Sequence, residues 1–226
     1  MVEIFSYVVT ALAAYLLGSI PTGYLAAKTK GIDIRSVGSG NIGATNVFRI
    51  LGKPTGIFVL LVDALKGFAA CAVLCPLIFN WFAPHFSGLV VYFHDWPIVV
   101  QTRYFLIAGI SVIVGHNYTC FLKFKGGKGI ATSAGVLIAL APLAFLVVLA
   151  VFVLVVFVSR YISLGSIIAA FCLPFAVWFF DGSKTMVIVM AALGALAIYK
   201  HKTNIGRLLN GTENKFGQKK TAEATK

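Results

Sequence analysis

Long runs of apolar residues, separated by short polar segments, make up most of this chain. A helix that crosses a bilayer needs about 20 apolar residues, because each residue adds 1.5 Å and the hydrocarbon core is about 30 Å thick. Most of the runs are long enough, and the shorter ones can cross a thinned or protein-filled region. They lie at roughly 4–27, 54–79, 86–100, 104–118, 130–159, 161–180 and 185–199. The pattern predicts an all-α, polytopic integral membrane protein with about seven transmembrane helices, some short or broken.

Basic residues are concentrated in the segments between these runs. The chain has 19 Lys and Arg against 7 Asp and Glu, and 59% of its residues are hydrophobic. Sixteen of the 19 cations lie in 28–53, in 119–129, at Arg160 and in 200–226. Because cytoplasmic loops of membrane proteins are enriched in Lys and Arg, we place these segments on the cytoplasmic side. The net charge of +12 therefore reflects topology and contact with anionic lipid, and no nucleic-acid partner is expected.

The run 130–159 decides whether this topology is consistent. A single crossing would place Arg160 and the basic tail outside, against the charge rule, so we expect two short helices, 130–141 and 143–159, that break at Pro142. The segment 86–100, with His94-Asp95-Trp96-Pro97, is expected to stay outside or to form a hairpin there. We expect one membrane domain over 1–214, followed by a polar, disordered tail over 215–226.

The first candidate site is a polar segment from Gly38 to Arg49. It matches the dinucleotide pattern G-x-G-x-x-G, but no strand precedes it, so we reject that interpretation. Glycines still allow the backbone to approach a ligand, and hydroxyls, amides and a guanidinium suit phosphate oxygens. The alternative is a tight polar turn between helices. The candidate phosphate-binding residues here are Gly38, Ser39, Gly40, Asn41, Gly43, Thr45, Asn46 and Arg49.

The second candidate site is Gly126-Gly127-Lys128-Gly129, which opens a predicted helix at Ile130. It fails the P-loop pattern because Gly129 follows the lysine where Ser or Thr is required. The N–H groups of such a loop and the helix dipole favour an anion, and Lys128 adds a charge. The alternative is a basic cytoplasmic turn. His116, at the end of the preceding helix, either takes a proton or simply caps that helix.

Two further sets of polar residues complete the candidates. His201, Asn204 and Arg207 are spaced by three residues and therefore share one helical face. Asp63 and Lys66, inside an apolar run, are expected to pair with each other. The four cysteines have no metal-ligand spacing, and no metal or cofactor is expected.

With these motifs in view, the chain resembles the bacterial membrane family of acyl-phosphate:glycerol-3-phosphate acyltransferases. The likeness runs from Leu17 to Glu213 and rests on three motifs, Gly38 to Arg49, Gly115 to Thr132 and His201 to Arg207. It implies transfer of a fatty acyl group from acyl phosphate to the 1-hydroxyl of glycerol 3-phosphate, giving lysophosphatidate and inorganic phosphate. It implies a multi-pass protein of the bacterial inner membrane with its active site at the cytoplasmic face.

The resemblance also implies which side chains line the site: Ser39, Arg49, Lys128, His201 and Asn204, with Ser163 nearby. Because the three motifs contain no carboxylate, the proton acceptor is His201, His116 or a substrate phosphate, and of these we favour the phosphate. The alternative function is a membrane carrier for phosphate esters. Carriers usually bind at the membrane midplane between repeated halves, whereas this chain has no repeat and its polar groups cluster at one face.

Overall fold

The computed structural model describes residues 1–87 and 98–217. The chain divides after Pro142 into two compact units, and each is described by itself. Throughout the described residues the regular structure is helical and no strand occurs, so the prediction of an all-α protein is confirmed.

The first unit contains the helices that flank the two candidate segments, Gly38–Arg49 and Gly126–Gly129, called here the first and second glycine-rich segments. A π-helical turn at Ala70–Leu74 joins the helices Lys53–Ala69 and Cys75–Ser87, and a 3₁₀ turn at Cys120–Leu122 follows the helix Ile98–Asn117. Pro21 separates the first two helices. Within the part described, its α-helices are α1 Val2–Ser19, α2 Thr22–Lys28, α3 Ala44–Leu51, α4 Lys53–Ala69, α5 Cys75–Ser87, α6 Ile98–Asn117 and α7 Ile130–Leu140.

Helix α1 shows a pattern opposite to that of a soluble amphipathic helix. Its five buried residues are small or polar, and the first four repeat every four positions: Ser6, Thr10, Ala14 and Gly18, followed by Ser19. Large apolar side chains such as Leu12 point outward and are exposed. Membrane helices pack through small residues because lipid, unlike water, does not drive large apolar side chains inward.

Glycines bring the main helix pairs of this unit into close contact. Gly18 lies against the Val112 carbonyl of α6, so a side chain at that position would collide with backbone. In the same way, Gly135 of α7 lies against the Ala64 carbonyl of α4. These contacts fix α6 beside α1 and α7 beside α4, and so hold the ends of α6 and α7 that flank the second glycine-rich segment.

As far as residue 217, the second unit is made of α8 Pro142–Ser159, α9 Ile162–Phe180, α10 Lys184–Lys200 and α11 Lys202–Leu209. Gly194 of α10 packs closely on the Ala170 carbonyl of α9. The chain bends by 57° between α10 and α11, with His201 at the joint.

Five helical segments of the described chain are long and apolar enough to cross a membrane, and the bent pair α10–α11 makes a possible sixth. The prediction of an integral membrane protein is therefore confirmed, and the predicted number of seven transmembrane helices is approximate. The predicted break is confirmed, since α7 ends at Leu140 and α8 begins at Pro142. Whether 130–159 crosses twice stays a prediction, because α7 has only 11 residues.

Three other predictions are only partly covered by the structure. The outer segment with His94-Asp95-Trp96-Pro97 lies outside the described residues. Of the tail predicted over 215–226, only 215–217 is described, and there the Phe216 N–H donates to the Arg160 carbonyl at 2.7 Å. The single domain over 1–214 stays a prediction.

Candidate active site

Asn46 organises the first glycine-rich segment. Its side chain is 2% exposed. The Asn46 Oδ1 accepts a hydrogen bond from the Ser39 N–H at 2.9 Å, and its Nδ2 donates to the carbonyls of Ile34, Val37 and Asn41 at 3.0–3.2 Å. Sequence analysis gave Asn46 as a phosphate-binding residue, but in the structure its amide holds the loop together.

The glycines of this segment have the conformations that the loop requires. Gly38 and Gly40 have φ of +63° and +70°, which side chains disfavour. A side chain at Gly38 would also collide with the Asn46 amide. Gly43 precedes the first residue of α3, and its N–H donates to Asn41 Oδ1 at 2.8 Å. Gly38, Gly40, Gly43, Asn41 and Asn46 therefore shape a rigid loop.

The side chains that this loop presents are Ser39, Thr45 and Arg49. Within the described part of the chain, neither the Ser39 nor the Thr45 hydroxyl has a hydrogen-bond partner, so both are available to a ligand. Arg49 is exposed in the last turn of α3. The structure thus places hydroxyls and a guanidinium on one short segment, as anion binding requires.

The second glycine-rich segment folds back onto the end of α6. The Gly126 N–H donates to the Asn117 carbonyl at 3.2 Å, and the Gly127 N–H donates to the His116 carbonyl at 3.0 Å. These hydrogen bonds fix the loop against α6. That Gly126, Gly127 and Lys128 contact an anion stays a prediction.

Gly129 and Lys128 stand where the loop enters α7. The helix begins at Ile130, as predicted, and Gly129 adopts φ of +80° just before it. A side chain at Gly129 would come within 2.8 Å of Asn117 Oδ1. Lys128, half-buried, is thus held at the start of a helix whose dipole favours anions.

His116 ends α6 and is buried, with 6% exposed. Its ring lies directly beneath Gly127, where the Nε2 atom occupies the space that a side chain would need. Its Nδ1 lies 3.7 Å from Asp63 Oδ1 of α4. The predicted pair of Asp63 and Lys66 is confirmed, with 2.9 Å between Lys66 Nζ and Asp63 Oδ1.

In the second unit, His201 lies at the bend between α10 and α11. Its Nδ1 is 2.7 Å from the Ala197 carbonyl oxygen. A carbonyl only accepts hydrogen bonds, so Nδ1 carries a proton in this contact, and when the ring is neutral the lone pair is on Nε2. The contact fixes the orientation of the His201 ring.

Glu213 connects the other candidate residues of this unit. Its Oε1 accepts hydrogen bonds from Ser163 Oγ at 2.9 Å and Asn204 Nδ2 at 2.8 Å, and its Oε2 accepts from Arg207 Nε at 2.8 Å. Burial raises the pKa of Glu213, but the hydrogen bonds from Asn204, Arg207 and Ser163 outweigh it and hold the pKa below its usual value. A buried, ionised carboxylate thus orients two predicted site residues, Ser163 and Asn204.

Sequence reasoning missed this role of Glu213. The available signal was that Glu213 is one of only two acidic residues in the strongly basic segment 200–226 and comes shortly after Asn204 and Arg207. Several buried donors need an acceptor, and a carboxylate can satisfy more than one of them.

Taken separately, the first unit presents hydroxyls and cations and the second unit presents an oriented histidine and amide, groups of the kind that bind phosphorylated substrates. A sequence profile described as glycerol-3-phosphate acyltransferase matches residues 8–211. The chain belongs to this family. It is an integral membrane acyltransferase of phospholipid synthesis, and this result favours catalysis over the alternative of a carrier.

Individual relatives match the sequence of this acyltransferase along nearly its whole length. It is 47% identical over 203 residues to a glycerol-3-phosphate acyltransferase of Trichlorobacter lovleyi, covering 90% of this chain and 94% of the relative. It is 44% identical over 219 residues to one of Clostridioides difficile, covering 96% and 99%. The crystal structure of PlsY (YgiH), an integral membrane glycerol 3-phosphate acyltransferase, matches with a TM-score of 0.78 and 38% identity, over 94% of this chain and 96% of that one.

Proposed function

We propose that this acyltransferase moves a fatty acyl group from acyl phosphate to the 1-hydroxyl of glycerol 3-phosphate, giving lysophosphatidate and inorganic phosphate. The observation that carries the proposal is that the PlsY relative has been crystallised in a glycerol 3-phosphate form and in a lysophosphatidic acid form. These are the acceptor and the product of that reaction. The similarity to PlsY covers 94% of the chain, and the family profile over residues 8–211 spans all the candidate residues.

In the proposed step, the 1-hydroxyl oxygen attacks the acyl carbonyl carbon. A new ester bond forms, the bond from the carbonyl carbon to the phosphate oxygen breaks, and phosphate leaves. Because acyl phosphate is already activated, the protein has mainly to hold two anions together and to stabilise the oxyanion and the leaving group. No cofactor enters this scheme.

The side chains have separate tasks in this scheme. Arg49 and Lys128 neutralise phosphate charge, while Ser39 and Thr45 donate neutral hydrogen bonds. His201, Asn204 and Ser163 contribute oriented polar groups, and the glycines set the loops that carry these side chains. The free hydroxyls of Ser39 and Thr45 within the described residues support their assignment to substrate.

The hydroxyl proton goes to a substrate phosphate in this proposal. Glu213 is already the acceptor of three protein hydrogen bonds, so it is a poor choice of base. His201 has the tautomer of a possible base, and single-turnover kinetics distinguish the two schemes. His201→Asn is expected to keep measurable chemistry, and its complete loss with both substrates still bound would make His201 the base.

The donor is tested with purified protein in detergent. Acyl phosphate and glycerol 3-phosphate should give equal amounts of lysophosphatidate and inorganic phosphate. Acyl-CoA in place of acyl phosphate should give no product, because the site is proposed to bind the phosphate of the donor. Equal turnover with acyl-CoA would contradict the proposed donor.

We also propose that the motifs lie at the cytoplasmic face of a bacterial inner membrane. The support is the clustering of Lys and Arg in 28–53, 119–129 and 200–226. A cysteine introduced at Lys125 and one introduced at Asn210 should both react with an impermeant thiol reagent only from the cytoplasmic side. Both positions are exposed, and the native cysteines are first replaced by Ala or Ser. Labelling of Asn210→Cys from outside would contradict the topology.

A further inference from the structure

A charged cluster is buried inside the first unit and includes residues that the site description does not assign to substrate. Asp63 is 2% exposed and Lys66 is 5% exposed. Asp63 Oδ1 accepts hydrogen bonds from Lys66 Nζ at 2.9 Å and from Thr22 Oγ1 at 3.0 Å. Lys66 Nζ also donates to the Ile20 carbonyl at 3.2 Å. The carboxylate therefore joins the break between α1 and α2 to the middle of α4.

Burying these charges needs a reason. Removing an ion pair from water costs several kcal/mol per ion, and a well-packed apolar pair is often as stable. In membrane segments, buried ionisable residues usually mark a functional region. A purely apolar contact could join α4 to the α1–α2 break at lower cost, so the carboxylate is expected to have a further task.

Besides Lys66 and Thr22, a third side chain lies beside Asp63, and it indicates that task. His116 Nδ1 lies 3.7 Å from the same Oδ1 atom, and His116 is itself buried. The opposite side of the imidazole ring, at Nε2, fills the space beneath Gly127. The ring is therefore held between a fixed carboxylate and the glycine loop.

The loop above the ring carries Lys128. The Gly127 N–H donates to the His116 carbonyl, so both the backbone and the side chain of His116 support the loop from below. A tilt of the imidazole ring would move Gly127 and then Lys128, its neighbour in sequence. Displacements of about 1 Å in a catalytic group can reduce a rate by about 100-fold.

We propose that Asp63 is a positioning residue of this acyltransferase, which orients the His116 ring and thereby the Gly126–Gly129 loop that presents Lys128. Lys66 balances the charge of Asp63, and Thr22 fixes its Oδ1 atom. The inference rests on the proposed function in so far as Lys128 acts on substrate. Asp63 itself touches no substrate in this scheme.

The test removes the two charges together, because one charge left alone in this site would destabilise the fold. Asp63→Asn/Lys66→Met keeps the approximate volume of both side chains. We expect kcat with acyl phosphate and glycerol 3-phosphate to fall about 10- to 100-fold, with KM for both substrates within about threefold. Thermal unfolding in detergent, followed by tryptophan fluorescence, verifies that the variant folds.

A mutant cycle with His116 separates positioning from a structural role. If Asp63 acts through His116, His116→Gln should lower kcat, and adding Asp63→Asn/Lys66→Met should cause little further loss. Losses that multiply, or a wild-type kcat in Asp63→Asn/Lys66→Met, would overturn the proposal.

A milder variant keeps the proposal testable if the double substitution does not fold. Thr22→Val removes one hydrogen bond to Asp63 and should lower kcat about 2- to 10-fold, an effect that should disappear in the His116→Gln background. Persistence of the full Thr22→Val effect in that background would overturn the proposal. Wild-type protein is assayed in parallel, so a wrong donor assignment appears as inactive wild type and is distinguishable from a failure of the Asp63 proposal.

Discussion

Lys128→Ala is expected to lower kcat/KM by a factor on the order of 10²–10³, with little change in thermal stability. Preorganised groups that stabilise developing charge commonly contribute this much to a rate. The structure holds Lys128 at the start of α7, between Gly127 and Gly129, whose conformations are fixed by contacts with His116 and Asn117. Initial rates with acyl phosphate and glycerol 3-phosphate, together with thermal unfolding, measure both effects.

Lys125→Ala provides the matched control. Lys125 directly precedes the Gly126–Gly129 loop, three residues before Lys128, and is exposed. If position determines the effect, Lys125→Ala should stay within about twofold of wild type, because exposed charges contribute little. Equal losses in the two variants would instead indicate that the total positive charge of the loop is what matters.

Features that depend on local sequence could be predicted for this protein. Apolar runs predicted helices because backbone polar groups in lipid must be satisfied within the helix. The break at Pro142 followed from the missing N–H of proline, and the start of α7 at Ile130 followed from the glycines before it. These inferences need only neighbouring residues, and the structure confirms them.

Contacts between distant residues could not be predicted in this way. Ser163 and Glu213 are 50 positions apart, and Asp63 lies 53 positions before His116. The sequence showed Asn204 and Arg207 on one helical face but not the carboxylate that accepts their hydrogen bonds. Likewise, Asn46 resembled a ligand for phosphate, because nothing local shows that its amide binds the backbone at Ile34 and Val37.

Competition for hydrogen bonds explains why the N–H groups of Gly126 and Gly127 bind protein carbonyls in the structure. A glycine-rich loop before a helix suggests free N–H groups, but these two N–H groups bind the last carbonyls of α6. Helix ends leave such carbonyls without partners, so any nearby loop can satisfy them. In the proposed reaction, the side-chain cations Arg49 and Lys128 are therefore expected to contact more of the substrate charge than the glycine pattern alone suggests.

Glu213→Ala is expected to abolish most activity and to lower stability by at least about 2 kcal/mol. Buried donors without an acceptor cost roughly 1–3 kcal/mol each, and this substitution removes the acceptor of Ser163, Asn204 and Arg207. Asn204 would lose its fixed orientation at the same time. Turnover and thermal unfolding near pH 7 measure the two losses.

Glu213→Gln separates the charge of Glu213 from its size, and pH provides the control. The pKa of Glu213 is lowered in the folded state, so its charge stabilises the fold above the unfolded value of 4.5, and that contribution is lost as pH falls below it. The stability difference between wild type and Glu213→Gln should therefore be largest near neutral pH and should shrink below about pH 4.5. Arg35 holds the pKa of Asp33 at about 2, but Asp33 is present in both proteins and its contribution cancels. A difference that stays constant with pH would show that the shape of Glu213, rather than its charge, holds Ser163 and Asn204.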